Sequence, residues 1–397
     1  MDPSLMQRAQ ALINRLHNGY NEKYGFGSMS CAIYDSAWVS QISKVEDGVR
    51  KWLFPQCFLY ILANQKQDGS WESYSSEIDG ILNTAASLLA VHRHFVDPLQ
   101  ISHITSGDLI RRFDAGRIAL QKMLTEWDVE ATEHVGFEIL VPALLKYLGD
   151  AGYCFQFPRK DLLMKIRAEK LRKFKPEYLY GNAKLTPLHS LEAFIGTIDF
   201  DRLSHQKTFG SMMASPSSTA AYLMNVSKWD DDSEHYLRHV VTAGPGWGNG
   251  GVPSAYPSTH FEYSWVLSTL LKAGFSNASL GSEQTESLLN VLATAFDHEN
   301  GNIGFGDPLS PCSFALTWTD FCDSTFRWLR CRRYCEDNHG HEFAWQTNNA
   351  PSFDTGIRIQ GVLHNVPWRK DAQLQRQLQR SGSAFALAKS VGLHCAD

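Results

Sequence analysis

The sequence predicts an all-α protein built from stacked helical hairpins, of the α/α-barrel kind. Three observations carry that expectation. Apolar residues recur at helical spacing in segment after segment, as at Leu288, Leu292 and Phe296 (i, i+4, i+8) within 283–297. Strand-like alternation is nearly absent. Turns combining glycine with an aromatic ring punctuate the helices: QDGSW at 67–71, GPGWGNGG at 244–251 and GNIGFGD at 301–307. In such turns glycine permits positive φ while the ring anchors the turn on the core. Their spacing is irregular, so the chain is not a simple solenoid.

Taken in order, residues 5–17 place Leu5, Ala9, Leu12 and Leu16 on one face of an amphipathic helix. Residues 30–40, SCAIYDSAWVS, read as a helix packed closely through Ser36 and Ala37. Helical periodicity then runs through 48–64, 83–96, 107–125, 138–149, 159–174, 215–227, 231–242, 260–273 and 283–297. Ser282 is available as N-cap of the last of these, with Glu283 in its first turn. Proline and glycine concentrate at 244–258, a boundary between two helical units.

At 397 residues the chain is long enough for two domains. A net charge of −5 with 20% charged residues gives neither a disordered nor a nucleic-acid-binding balance. The first twenty residues lack a signal-type apolar region, and no span is apolar enough to cross a membrane, so a soluble, cytoplasmic protein is expected. Eight scattered cysteines do not form a disulfide framework. Aromatics are abundant, with 11 Trp, 22 Phe and 14 Tyr. Such rings fill cores, and their π faces can also stabilise a cation without supplying a nucleophile.

Four acidic or metal-like constellations stand out. Glu126, Asp128, Glu130, Glu133 and Glu138 fall within thirteen residues. Clustered carboxylates suit a hard cation such as Mg²⁺, and equally a solvated helix start. Glu138 differs in sitting among apolar residues, where it is expected to cap or pair internally. Lys184 precedes TPLHSLEAF, where a lysine could meet a phosphate at a helix start or simply be solvated. The triple aspartate of WDDDSEHY, 229–236, reads as an N-cap and first helical turn. Cys322, Cys331, Cys335, His339 and His341 have spacings unlike zinc sites, and nearby arginines oppose a cation there.

Several of these strings, in this order, resemble the N-terminal part of fungal class II diterpene cyclases, the copalyl-diphosphate-synthase type. They are SCAIYDSAWVS, QKQDGSW, HVGFEILVPALL, LTPLHSLEAF, FGSMMASPSSTAAYLM, GGVPSAYPSTHFEYSWVLSTLLKAGF and GNIGFGD, spanning about residues 28–308. The resemblance implies an all-α fold: an α/α-barrel γ domain inserted into an incomplete α/α-barrel β domain. Residues 1–20 would be the first β helix, 21–250 the γ domain, and 251–397 the remainder of β, truncated and divergent after about 311. It further implies a prenyl diphosphate substrate, geranylgeranyl diphosphate, whose terminal alkene is protonated to start a cyclisation that leaves the diphosphate attached. By the same resemblance Mg²⁺ falls to Asp128, Glu130 and Glu133, and the diphosphate to Lys184.

One departure bears on mechanism. The family follows its GF turn with Asp-x-Asp-Asp, whose middle acid delivers the proton, whereas here GFGDPLSP is followed by Cys312, Ser313, Phe314 and Ala315. A degenerate version comes eight residues later as Asp320-Phe321-Cys322-Asp323. A thiol with a pKa of about 8.5 is a weaker acid than a carboxyl at about 3.9 by roughly 6 kcal/mol, so Cys322 cannot replace the acid. Asp320 and Asp323 are therefore the candidate catalytic acids, provided burial keeps one protonated. The alternative expectation is an inactive relative that binds prenyl diphosphate or a partner. No DDxxD motif occurs, so ionisation-initiated chemistry is unsupported.

Overall fold

A computed structural model of the protein describes residues 2–74, 76–99, 101, 104–132, 134–297 and 302–303. Within them the chain is helical, as expected. Helix α1 spans Pro3–Asn18; Asp2 caps it by accepting from the Ser4 N–H at 2.9 Å, and Pro3 sits where no helical N–H is needed. Its buried face is Ala9, Leu12, Ile13 and Leu16. The short helix α2, Ile33–Val39, buries every residue but Tyr34, and the small Ser36 and Ala37 let neighbouring helices approach closely.

Sequence periodicity had placed a helix over 48–64, but that helix begins only at Pro55 (α3, Pro55–Ala63). Residues before it form a hairpin of β2 (Ser43–Glu46) and β3 (Val49–Trp52), after the two-residue strand β1 (Cys31–Ala32). Asp47 and Gly48 both take positive φ, 52° and 75°, the turn that an Asp-Gly pair favours between strands.

Helix α4 (Glu77–Val96) starts on a capping box of Ser76 and Asp79 and is buried along most of its length. Around it pack α2, α5 (Ser106–Glu126) and α6 (Phe137–Asp150). Gly69 in the QDGSW turn has φ 86°, and a Cβ there would overlap the Ala115 backbone of α5. Beside it the Trp71 indole is buried and donates to the Ile61 carbonyl at 2.8 Å, so this turn is anchored as its composition suggested.

Helix α7 (Lys160–Leu171) lies on α6 and buries only Leu163. The segment expected to begin a helix near Lys184 is instead a series of short 3-10 turns, Pro176–Tyr180, Thr186–His189, Leu191–Phe194 and Phe200–Gln206. Pro176 and Pro187 sit in the first positions of their turns, where no helical N–H is needed, and Gly196 at φ 79° separates the last two turns. Helices α8 (Pro216–Asn225) and α9 (Asp231–Ala243) complete this part. Asp230 caps α9 by accepting from the Ser233 N–H at 2.9 Å, so the triple aspartate is a helix start.

Strand β4 (Val252–Pro253) pairs with β1 and leads to α10 (Thr259–Lys272), α11 (Asn277–Leu280) and α12 (Ser282–Ala295). A last two-stranded ladder joins β5 (Phe296–Asp297) to β6 (Asn302–Ile303). The main hydrophobic core runs from Ile33 to Tyr256, whereas a second unites α1 and Phe26 with α10, α11 and α12. Glu262 stands at the seam. Fully buried, it accepts from the Ser28 N–H at 2.7 Å and from the Ser28 and Ser258 hydroxyls at 2.5 Å each.

Candidate active site

Residues 127–136 join α5 to α6, whose first turn carries Glu138. The Trp127 indole is buried and donates to the Thr132 hydroxyl at 2.7 Å, and that hydroxyl donates to the Asp128 carbonyl at 2.9 Å. The Asp128 carboxylate accepts from the Glu130 N–H at 3.1 Å, a local turn that fixes both acids. Arg159, just before α7, pairs with Asp128 and approaches Glu130 at 4.0 Å. Two of the three expected metal ligands are thus brought together, but around an arginine. Glu133 lies outside the described residues. Among the described residues no group of three or more His, Cys, Asp or Glu side chains could hold a metal ion.

Where α7 packs on the N-terminal half of α6, it leaves a groove of about 780 Å³. Its apolar floor includes Phe137, Leu162 and Ile166, and its charged lining is Lys165, Lys170, Arg172, Lys173, Glu138 and Glu169, with His134 at one end. Four cations face two carboxylates. Lys170 pairs with Glu138 at 2.9 Å and Arg172 with Glu169 at 3.0 Å. Lys165 and Lys173 have no ion-pair partner among the described residues, so the groove carries an excess of two positive charges. His134 sits 3.6 Å from Asp79, yet burial outweighs that neighbour and pushes its pKa down. It adds no charge near neutrality.

Glu138 gives the groove its one deep anion. Its side chain is only 8% exposed, one oxygen takes Lys170, and Oε2 is buried with no hydrogen-bond partner among the described residues. The expectation that Glu138 pairs internally is thus met by an α7 lysine. An anion of high charge would find two free ammonium groups here, and a small cation carried with it would find the spare carboxylate oxygen.

Lys184 does not line this groove. It is half-buried and its ammonium group donates to the Gln206 carbonyl, while the Gln206 amide donates to the Leu179 and Gly181 carbonyls. Burial lowers the Lys184 pKa, but the group stays tied into the 3-10 turns. Asp320 and Asp323 fall outside the described residues, as does the turn GNIGFGD beyond Ile303.

The basic lining of the groove escaped the reading of the sequence. The signal was present: 159–175, RKDLLMKIRAEKLRKFK, holds eight Lys and Arg residues. Helical periodicity alone gives that segment a fold and no role, because its charges gain meaning only once α7 is laid against the acidic turn.

No protein-family model matches the chain. It is 54% identical over 382 residues, 94% of its length, to a copalyl diphosphate synthase from Talaromyces verruculosus, covering 39% of that protein. It is 52% identical over 308 residues, 77% of its length, to a phyllocladan-16-alpha-ol synthase from Phomopsis amygdali, covering 31% of it. Among solved structures, an ent-copalyl diphosphate synthase from Arabidopsis thaliana superposes with a TM-score of 0.60 at 25% identity, over 79% of this chain and 41% of that one. The chain therefore spans less than half the length of these relatives. A match over 94% of the chain cannot be contained in residues 1–311, so similarity to the Talaromyces enzyme continues past the turn where the family acid is missed.

Proposed function

The chain is a relative of the fungal class II diterpene cyclases and has their α/α-barrel architecture, and from this premise we propose that it acts in protonation-initiated cyclisation. The substrate would be geranylgeranyl diphosphate and the product a bicyclic, copalyl-type diphosphate. The observation that carries this reading is the groove between α6 and α7, with two lysines that are unpaired among the described residues and one buried carboxylate beside the acidic turn.

In this reading Lys165 and Lys173 attract the diphosphate, and Lys170, held by Glu138, sets the position of a third cation. Phe137, Leu162 and Ile166 give the first carbons of the prenyl chain an apolar wall. Mg²⁺, when bound, would neutralise diphosphate oxygens. The carboxylate best disposed toward it is Glu138 with its spare Oε2, because Asp128 is already engaged by Arg159. Asp128, Glu130 and Glu133 remain proposed ligands by resemblance only, and Lys184 a proposed diphosphate contact on the same ground.

Asp320 and Asp323 are the proposed acids, since Cys312 to Ala315 offer no carboxyl where the family has one. That same gap favours the second reading, a non-catalytic relative that binds prenyl diphosphate. Incubation of the pure protein with geranylgeranyl diphosphate and Mg²⁺, followed by dephosphorylation and product analysis, decides between them. A bicyclic alcohol supports cyclisation; recovered linear geranylgeraniol together with measurable binding supports the non-catalytic reading.

A further inference from the structure

Two carboxyl groups deep in the main core belong to no part of the groove. Asp35, on α2, is 3% exposed, and Glu192, in the Leu191–Phe194 turn, is 2% exposed. Asp35 accepts from the Ser217 N–H at the start of α8 at 3.2 Å, and Glu192 accepts from the Tyr34 hydroxyl at 3.0 Å. The Glu192 carbonyl accepts from the Tyr147 hydroxyl of α6 at 2.8 Å. The Ser217 side chain acts on both carboxyls, and the charge of Asp35 bears on Glu192. Among the described residues every donor is neutral, and no lysine or arginine acts on either acid. Two dry carboxylates held only by neutral donors cannot both be ionised without a large penalty.

We propose that Asp35 and Glu192 form a pH-sensitive clamp, at least one member carrying a proton at neutral pH, that fastens the 186–194 segment to α2, α6 and α8. The segment holds Leu188 and Leu191, both fully buried, and His189, whose Nδ1 meets the Met213 carbonyl at 2.9 Å. Loss of the proton would place a second negative charge where α2, α6 and α8 meet the turn.

Burial raises Asp35 to about 7 and Glu192 to about 8. Unfolded carboxyls titrate near about 4, so between these limits the native state binds more protons than the unfolded one. The stability contributed by the neutral pair is full below about pH 4. It is lost as pH climbs through about 7 and 8, and the profile then levels. Neighbouring groups do not mask this window. Tyr34, Tyr74 and Tyr147 are pushed up by burial and stay neutral, buried His189 is pushed down, and Arg167 acts on Tyr147.

The test compares the full chain with Glu192→Gln and Asp35→Asn across pH 4.5 to 9. Thermal unfolding reads the global effect, hydrogen exchange at 186–194, corrected for intrinsic rates, reads the local one, and infrared spectra of the unmutated protein read the protonated carboxyl band. Unmutated protein should lose stability toward pH 8 more steeply than either variant, and protection at 186–194 should fall by up to roughly tenfold per pH unit for each carboxyl that is protonated in the closed segment and ionised on opening. The protonated band should fade over the same range. Parallel pH profiles in the unmutated protein and the variants would overturn the clamp. Should neither variant fold, a protonated-carboxyl band that is absent or unchanged between pH 6 and 9 overturns it alone.

Discussion

Replacing Glu138 by Gln should tighten binding of inorganic pyrophosphate when no divalent ion is present, and weaken the response to Mg²⁺. Glu138 is the buried anion of a groove whose other charges invite a diphosphate. At about 5 Å and an effective dielectric of about 20, a unit charge repels a like charge by about 3 kcal/mol. Lys170 lies 2.9 Å away and is more than half exposed, so it offsets part of that repulsion and solvent screens more. About 1 kcal/mol should survive, roughly a fivefold gain in affinity for pyrophosphate alone. With Mg²⁺ present the sign reverses, because a neutral amide offers the ion a poorer ligand than a carboxylate. Calorimetric titration at fixed ionic strength, with and without Mg²⁺, reads both arms. Weaker pyrophosphate binding by Glu138→Gln without metal would refute the charge argument, and an undiminished Mg²⁺ response would remove Glu138 from the proposed metal contact.

Lys165→Ala and Lys173→Ala each remove an unpaired cation from an open groove and should weaken pyrophosphate binding by about 1 kcal/mol, with the loss shrinking at high salt; salt-independent affinities would count against the groove. Asp320→Asn or Asp323→Asn should abolish any bicyclic product while leaving pyrophosphate affinity unchanged, and unaltered product in both would take these acids out of the mechanism. Glu262→Ala should lower stability by about 2–4 kcal/mol, because it strands the Ser28 N–H and two serine hydroxyls at the seam of the two cores. Glu262→Gln, which keeps an acceptor there, should cost less, and a urea midpoint unchanged in the alanine variant would refute the role given to these bonds.

Where the fold was legible, local physics and tertiary packing agreed. The apolar face of α1 and the Asp230 cap of α9 follow from spacing and capping chemistry and stand in the structure. The hairpin at 43–52 was missed because its helical-looking apolar residues overrode the Asp-Gly turn; Val45 and Val49 in fact point to solvent. The helix start expected after Lys184 is instead two short 3-10 turns, Thr186–His189 and Leu191–Phe194, a difference that local composition does not signal. Candidate ligands were harder still. Asp128 and Glu130 look like metal ligands until Arg159, about thirty residues on, is brought beside them. Buried Asp35 and Glu192, over 150 residues apart, are brought together only by the fold, through Ser217 of α8 and Tyr34 of α2.

The two demands of the proposed reaction respond differently to divergence. Holding a diphosphate needs charge of the right sign over a few ångströms, and here Lys165, Lys170, Arg172 and Lys173 share that task, so losing one lowers affinity by a modest factor. Protonating an alkene instead requires a single acid of the right strength at one place, and moving it by a few ångströms removes the step. Substitution after GFGDPLSP therefore bears on turnover and not on binding. A sequence that departs at Cys312 to Ala315 yet keeps an electropositive groove is expected to retain diphosphate affinity in either reading, so affinity alone cannot identify an enzyme. Turnover can. Product formed by the unmutated chain and lost in Asp320→Asn or Asp323→Asn would mean that the acid has shifted along the chain, whereas tight binding without product would leave the groove as the part of the function that persists.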